Sequence, residues 1–364
     1  MQESKHKFIS ARIMRAVAER QWKDKLPPVR TLAAMFSVSS RTVQKALQTV
    51  YASGMVIPHG ARGNLICYKT EKRPGTGTVG IYANLAESNI NADPLICHLV
   101  ALVKEAGLHP FIANMPDNTF WEDEHFWRNV PVDGYIFANS SVRLPLAETL
   151  RMAGVPFVCA NQLPPRVPGS WADFDHTPVL RSLLETLLRQ EIRRVALYDK
   201  PSFSNSSGNL KKVWKSLMDE FHIPHRYRYD ISAARGGSLA EHFDSWFSRE
   251  LVPEAVILWN PRYSEEVLPY FYSRNMPLPL MIRKYSRKNQ LASDEIITFR
   301  QNNDYKLLAE KVWGIFQKQL QTPEAGVRQI LVPSALADVE TLEEKIREKM
   351  STLSQRQHYQ EKRK

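Results

Sequence analysis

Between Arg30 and Gly63 the chain concentrates side chains that can recognise phosphate groups and base edges. Arg30 is followed by Ser39, Ser40, Arg41, Thr42, Gln44, Lys45 and Gln48, and then by the pair Arg62-Gly63. In a DNA major groove Arg can donate two hydrogen bonds to guanine and Gln can donate and accept at adenine, while hydroxyls and ammonium groups suit phosphate oxygens. None of these residues is acidic. The elements that must position them follow from apolar spacing. Val29, Leu32, Ala33 and Phe36 fall on one helical face, and so do Val43, Ala46, Leu47 and Val50. A tight turn separates the two runs. Ser39 or Ser40 can cap the second, leaving amides of its first turn to meet an anion. Phe8, Ile9, Ile13, Met14 and Val17 mark a helix before both, and Gly60 and Gly63 tip a hairpin after them. The polar set then lies on the outer face of a recognition helix, with Arg62-Gly63 at a wing.

This arrangement resembles the winged helix-turn-helix of the GntR family. The residues that carry the resemblance are Leu26, Pro27, Arg30, Leu32, Ala33, Val38, Ser39, Thr42, Val43, Ala46, Leu47, Gly54 and Gly63. It implies a DNA-binding domain over about residues 1–68, followed by a linker at 69–77, where YKTEKRPGTG loses all periodicity. Two departures stand out. Ser40 and Gln44 occupy positions where the family commonly carries guanine-reading arginines, so the resemblance does not carry the family's operator sequence with it.

Charge supports the same division. The 364 residues carry a net charge of +11, yet residues 1–73 hold 14 Lys and Arg against 4 Asp and Glu. The other 291 residues are nearly balanced, at 35 against 34. A basic excess confined to one unit is an electrostatic footprint for nucleic acid rather than a general solubility device. Cys67, Cys97 and Cys159 are far apart and flanked by apolar residues, which predicts buried free thiols in a reducing compartment. No apolar stretch suggests a signal peptide or a membrane span, so a cytoplasmic protein is expected.

After the linker, short apolar β-rich runs alternate with helical patterns. Strands are predicted at Thr78–Tyr82, His109–Ala113, Val132–Ala138, Val155–Ala160, Arg194–Tyr198, Ala255–Trp259, Leu280–Ile282, Ile296–Phe299 and Ile330–Val332. Helices are predicted at about 93–106, 144–153, 178–190, 209–221 and 239–250. This is an α/β pattern with parallel sheets covered on both faces. The ordered phrases Val132-Asp133-Gly134, Gly154-Val155-Pro156-Phe157-Val158, Arg193-Arg194-Val195-Ala196 and Glu254-Ala255-Val256-Ile257 resemble the LacI-type effector domain. The resemblance implies a two-lobed domain like the type I periplasmic binding proteins over residues 78–341. Lobe one would comprise about 78–161 and 292–322, and lobe two about 162–291 and 323–341, ahead of a charged tail at 342–364.

Ligands of open parallel sheets bind beyond the carboxyl ends of the strands. The candidates there are Tyr82, Asn84, Asn139, Ser140, Asn161, Asp175, Phe203, Trp259, Asn260 and Arg283. Asn and Asp can bridge neighbouring sugar hydroxyls, and aromatic rings can stack on a sugar's apolar face. Sugar-binding relatives carry an Arg where this chain has Leu210, and an Asp where it has Arg283, Lys284 and Tyr285. The two added cations suggest an acidic sugar derivative. The combined reading is a homodimeric regulator, in the repressor arrangement, holding double-stranded operator DNA and a small sugar-like effector without a cofactor. The sequence has no GxSxG elbow, P-loop or HExxH motif, and His98, His109, His125 and His176 are scattered. A non-enzymatic protein is therefore expected. A sugar-binding transport protein and a GntR-type fusion enzyme are the competing readings.

Overall fold

The computed structural model describes residues 5–19, 21–23, 25–52, 55–58, 63–66, 75–83, 93–114, 130–138, 142, 144–163, 167–199, 206–229, 238–260, 264–285, 294–322 and 326–361. The chain divides into two compact units, one of residues 1–172 and 305–330, the other of 173–304 and 331–364.

The first unit opens with α1 (Lys5–Ala18), α2 (Val29–Met35), α3 (Ser40–Ala52) and a ribbon of β1 (Val56–Pro58) and β2 (Asn64–Ile66). Ile9, Ile13, Val17, Leu32, Ala33, Val43, Ala46, Leu47 and Val50 interlock as its core, joined by Val56 and Ile66 of the ribbon. Phe8, read from spacing as part of that face, is instead exposed. The turn between α2 and α3 is a Schellman motif. Ser37 takes a left-handed φ of 52°, the Val38 amide donates to Ala33, and the Ser37 amide donates to Ala34. The ribbon is antiparallel, pairing Val56 with Ile66 and Pro58 with Asn64. Tyr51 on α3 donates to Asn64 Oδ1 at 2.7 Å and ties the wing to the helix.

The same unit holds a parallel sheet ordered β4-β3-β5-β6, from β3 (Thr78–Ala83), β4 (His109–Asn114), β5 (Gly134–Ala138) and β6 (Phe157–Ala160). Asp133 fixes where β3 begins, accepting the amides of Thr76 and Gly77. Gly134 is required by packing: a Cβ there would lie 2.7 Å from the Pro156 carbonyl and 2.8 Å from the Phe316 ring. On α4 (Pro94–Glu105), Asp93 caps the helix while Leu95, Ile96, Leu99 and Val103 face inward. Cys97 lies off that face and is exposed, against the expectation that all three thiols are buried. Cys159 is buried, which pushes its thiol pKa up, and Cys67 lies outside the described residues.

The second unit is built on the parallel order β11-β10-β9-β8, from β8 (Val195–Tyr198), β9 (Ala255–Leu258), β10 (Leu280–Lys284) and β11 (Ile296–Asn303). Helices α6 (Thr177–Arg189) and α7 (Ser206–Glu220) bury Leu183, Leu187, Leu210 and Trp214 on one face. Helices α8 (Leu239–Phe247) and α9 (Ser264–Ser273) cover the other with Phe243, Trp246, Tyr270 and Phe271. Between the two units' helices in chain order come α5 (Leu144–Met152) and later α10 (Tyr305–Gln321), both in the first unit.

Three features depart from the sequence reading. A strand β7 (Ser170–Asp175) was not predicted, because Ser170, Asp173 and Asp175 interrupt its apolar pattern. Strand β12 (Gln329–Ala337) runs antiparallel to β11, an exception to the expected parallel order. The chain leaves the second unit after β11 and re-enters it along β12, which opposes their directions. The charged tail from Leu342, where Leu342, Ile346 and Met350 at helical spacing predict a short helix, belongs to a longer, 23-residue helix α11 (Val339–Glu361), with Leu342 and Ile346 inside the second unit's core. The units part at 172/173, 304/305 and 330/331, each later than the lobe boundaries expected from sequence.

Candidate DNA-binding face and effector site

On α3 the core residues occupy one face and the polar residues the other. Ser40, Arg41, Gln44 and Lys45 are exposed, Thr42 is half-buried, and Arg30 on α2 is exposed as well. Ser39 is the cap. Its hydroxyl accepts the Thr42 amide at 3.2 Å and lies 2.8 Å from the Thr42 hydroxyl. No acidic residue occupies the first turn of α1, α2 or α3, so nothing there opposes an anion at the positive end of the α3 dipole. Gly63 has φ of +86° with open space around it, which suits a turn residue at the wing. Arg62 lies outside the described residues.

In the second unit the strand register aligns a row of side chains across the carboxyl edge of the sheet. Tyr198 pairs with Leu258, Leu258 with Arg283, and Lys284 with Phe299. The next position on each strand gives the row Asp199, Trp259, Lys284 and Phe299. Trp259 is central to it. Its ring lies 5.1 Å from that of His176 in a T-shaped contact and 6.0 Å from that of Phe299. The Lys284 ammonium sits 4.9 Å from the Trp259 ring centroid, a cation–π contact. His176 follows β7, and buried Asp173 lies within that strand.

The electrostatics follow from burial. Desolvation pushes the Lys284 pKa down to about 8, and Asp173 and Asp199 only partly restore it. Desolvation, reinforced by Lys284 and opposed by Asp175, pushes His176 down to about 3. The His176 imidazole is therefore neutral at pH 7. Its Nδ1 is buried with no hydrogen-bond partner among the described residues. A neutral imidazole, an ammonium and two carboxylates around an indole face offer both donors and acceptors to a polyhydroxyl ligand.

The predicted effector residues separate on this frame. Trp259 and Asn260 lie at the row, Asn260 half-buried. Asp175 is near His176, where it accepts the Thr177 amide at 2.9 Å and so starts α6. Asn161 is half-buried just after β6. Tyr82 lies within β3 rather than beyond it. Its fully buried ring packs against Tyr135 and Phe137, so the structure places it in the core. Arg283 is also inside its strand, and alternation turns it to the sheet face opposite Lys284. It donates to Thr298 Oγ1 at 3.2 Å and is influenced by Glu265 on α9. Asn84, Asn139, Ser140 and Phe203 lie outside the described residues. Sequence reasoning left His176, Asp173 and Asp199 out of the set. Pro178 at the start of a helix, preceded by the turn-forming Asp175, is the signal that could have placed a strand end there.

Residues 75–80, GTGTVG, fit the spacing G-x-G-x-x-G, but they lead into β3 and open no helix, so they are not a dinucleotide-binding turn. Gly80 answers to packing, since a Cβ there would lie 2.8 Å from the Tyr135 ring.

Residues 6–66 match the family model "Bacterial regulatory proteins, gntR family". The resemblance to that family of regulatory proteins is carried by the N-terminal helices and the wing. No curated protein matches the chain by sequence. Among solved structures, the chain is similar to a transcriptional regulator CelR–cellobiose complex, with a TM-score of 0.56 at 14% identity, covering 92% of this chain and 98% of that one. A LacI-family regulatory protein from Chloroflexus aggregans gives 0.55 at 16% identity, over 71% of this chain and 96% of that one. The Lac repressor bound to ONPG gives 0.53 at 13% identity, over 90% and 94%. Behind its GntR-type domain the chain thus has the two-lobed α/β fold of LacI-family regulators. No helix among the described residues is long and apolar enough to cross a membrane.

Proposed function

We propose that this GntR-type protein is a transcription repressor whose operator affinity is set by a small sugar-like ligand. The observation that carries the reading is the joining of two parts in one chain. One is a Ser39-capped helix with an exposed, acid-free polar face. The other is a LacI-type fold with an indole, an ammonium and a neutral imidazole gathered at its strand ends. Ser39, Ser40, Arg41, Thr42, Gln44 and Lys45 would meet DNA from α3, with Arg30 beside them and Arg62-Gly63 at the wing. A homodimer would set two such helices on the half-sites of a palindrome. Trp259, His176, Lys284, Asn260 and Asp175 would hold the effector, and ligand and DNA would then alter each other's affinity reciprocally.

The cellobiose and ONPG complexes of two structural neighbours support a sugar or glycoside as the ligand class. Asp173 and Asp199 both act electrostatically on Lys284, and Arg283 lies on the other sheet face, so the added cations do not combine to select an acid. A neutral sugar is favoured over a uronate.

The test is an electrophoretic mobility shift of the full chain on DNA from upstream of its own gene, with and without sugars, at fixed salt. Specific binding weakened by a neutral sugar is the expected result. Arg41→Ala should weaken it by about 1–3 kcal/mol, as for a lost base or phosphate contact. Unchanged affinity in Arg41→Ala would refute the placement of the recognition helix.

A further inference from the structure

The exposed Phe8 on α1 has a partner that its buried neighbours lack. It stands one helical turn before Arg12, whose guanidinium carbon lies 5.8 Å from the Phe8 ring centroid. The same guanidinium lies 5.3 Å from the ring of Phe36, the residue that ends α2. Both distances are within cation–π range, so rings from two elements hold one cation. Phe36 is half-buried against the domain's core and anchors the arrangement, while Phe8 is 57% exposed and Arg12 is exposed as well. Phe8 therefore forgoes burial in the core and orders Arg12 instead.

The next arginine on α1 is placed differently. Arg15 donates to Glu19 at 2.7 Å, one turn further on, and that carboxylate offsets its charge. Among the described residues no carboxylate pairs with Arg12, and the first turn of α1 has no acidic residue. A phenyl ring restrains a guanidinium without neutralising it. Arg12 thus keeps its full charge for a group outside the protein.

Position says which group. Phe36 stands three residues before Ser39, the cap of α3, so Arg12 lies beside the turn from which α3 starts. From that start α3 exposes Arg41, Gln44 and Lys45. Resting on the reading of α3 as the helix that meets DNA, we infer that Arg12 is a further DNA contact, one that clamps a backbone phosphate beside the groove. A forked guanidinium takes a phosphate through two parallel hydrogen bonds. Such a contact fixes the register of the helix in the groove and reads no base itself.

Fluorescence anisotropy of the full chain tests this with two duplexes, one from upstream of its own gene and one of random sequence, between about 50 and 200 mM salt. Arg12→Ala should flatten the slope of log K against log salt by about 0.9 and weaken binding about eightfold at roughly 0.1 M salt, the counterion-release effect of one phosphate. The loss should be equal on both duplexes, because a phosphate carries no sequence. Arg12→Lys should restore the slope. Phe8→Ala keeps the charge without its ordering, so the slope should stay and affinity should fall only about two- to fivefold. Arg15→Ala removes a cation already offset by Glu19 and should leave the slope nearly unchanged. Arg12 and Phe8 are exposed, so both variants should keep the wild-type circular dichroism spectrum. Binding by Arg12→Ala within about twofold of wild type at every salt concentration would overturn the assignment, and so would a loss confined to the upstream duplex. Unchanged DNA binding with a lost oligomer in sedimentation would make the exposed Phe8 and Met35 a protein contact instead. A loss in Arg41→Ala with none in Arg12→Ala sinks the α1 contact alone, whereas a wild-type chain that binds neither duplex sinks the reading of α3 with it.

Discussion

Replacing Lys284 by Met should stabilise the second unit at neutral pH, and the gain should disappear in alkali. The folded ammonium is pushed from its ordinary 10.5 to about 8 by burial, with Asp173 and Asp199 offsetting only part of the cost. At 1.36 kcal/mol per pKa unit this corresponds to about 3 kcal/mol as an upper bound. Lys284 is only partly buried, so solvent screening brings the expectation to about 1–3 kcal/mol. Below pH 8 both folded and unfolded chains carry the proton, and the full penalty is present. Between pH 8 and 10.5 the unfolded chain binds more protons than the folded one, so wild-type stability rises with pH and the penalty fades. Met keeps the aliphatic stem against Trp259 without the charge. Urea unfolding followed by circular dichroism at pH 7 and at pH 10 measures both ends. The variant should gain at pH 7 and approach wild type at pH 10. A loss of stability at pH 7, or an equal difference at both pH values, would show that Lys284 is not desolvated at this site.

His176 gives a complementary prediction in acid. Its folded pKa of about 3 lies below the ordinary 6.5, so the unfolded chain takes up the proton first and stability falls as pH drops from 6.5 towards 3. His176→Phe should flatten this decline in thermal melts between pH 7 and pH 4, and an unchanged slope would contradict the assignment. Gly134→Ala should cost about 1–3 kcal/mol by overpacking, since its Cβ would meet the Pro156 carbonyl and the Phe316 ring. Urea midpoints measure that cost, and a neutral substitution would mean that the β5–β6 region yields more readily than its packing indicates.

The DNA-binding domain was legible because its information is local. Val43, Ala46, Leu47 and Val50 define the buried face of α3 by spacing alone, and that face leaves Arg41, Gln44 and Lys45 outside. Ser39 is a cap because the first-turn amide of Thr42 lies three residues on, within reach of its hydroxyl. The alternation of strands and helices was legible for the same reason, with apolar runs such as AVIL fully buried where they were expected. Strand β7 was not, because its Ser170 and Asp173 look like loop residues until the chain around them supplies burial.

What sequence could not decide is which strand ends stand side by side and which way each side chain turns. Successive members of the set Asp199, Trp259, Lys284 and Phe299 are 15 to 60 residues apart in the chain, and only the parallel register brings them into one row. Arg283 and Lys284 are adjacent and look like one basic feature. Strand alternation sends them to opposite faces of the sheet, one to Thr298 and the other to Trp259. By itself the sequence determined that the chain carries a helix-turn-helix with an exposed polar face and an α/β domain, because helical and strand periodicities are properties of neighbouring residues. The tertiary structure decided where the charges stand, because register and burial belong to the assembled sheet.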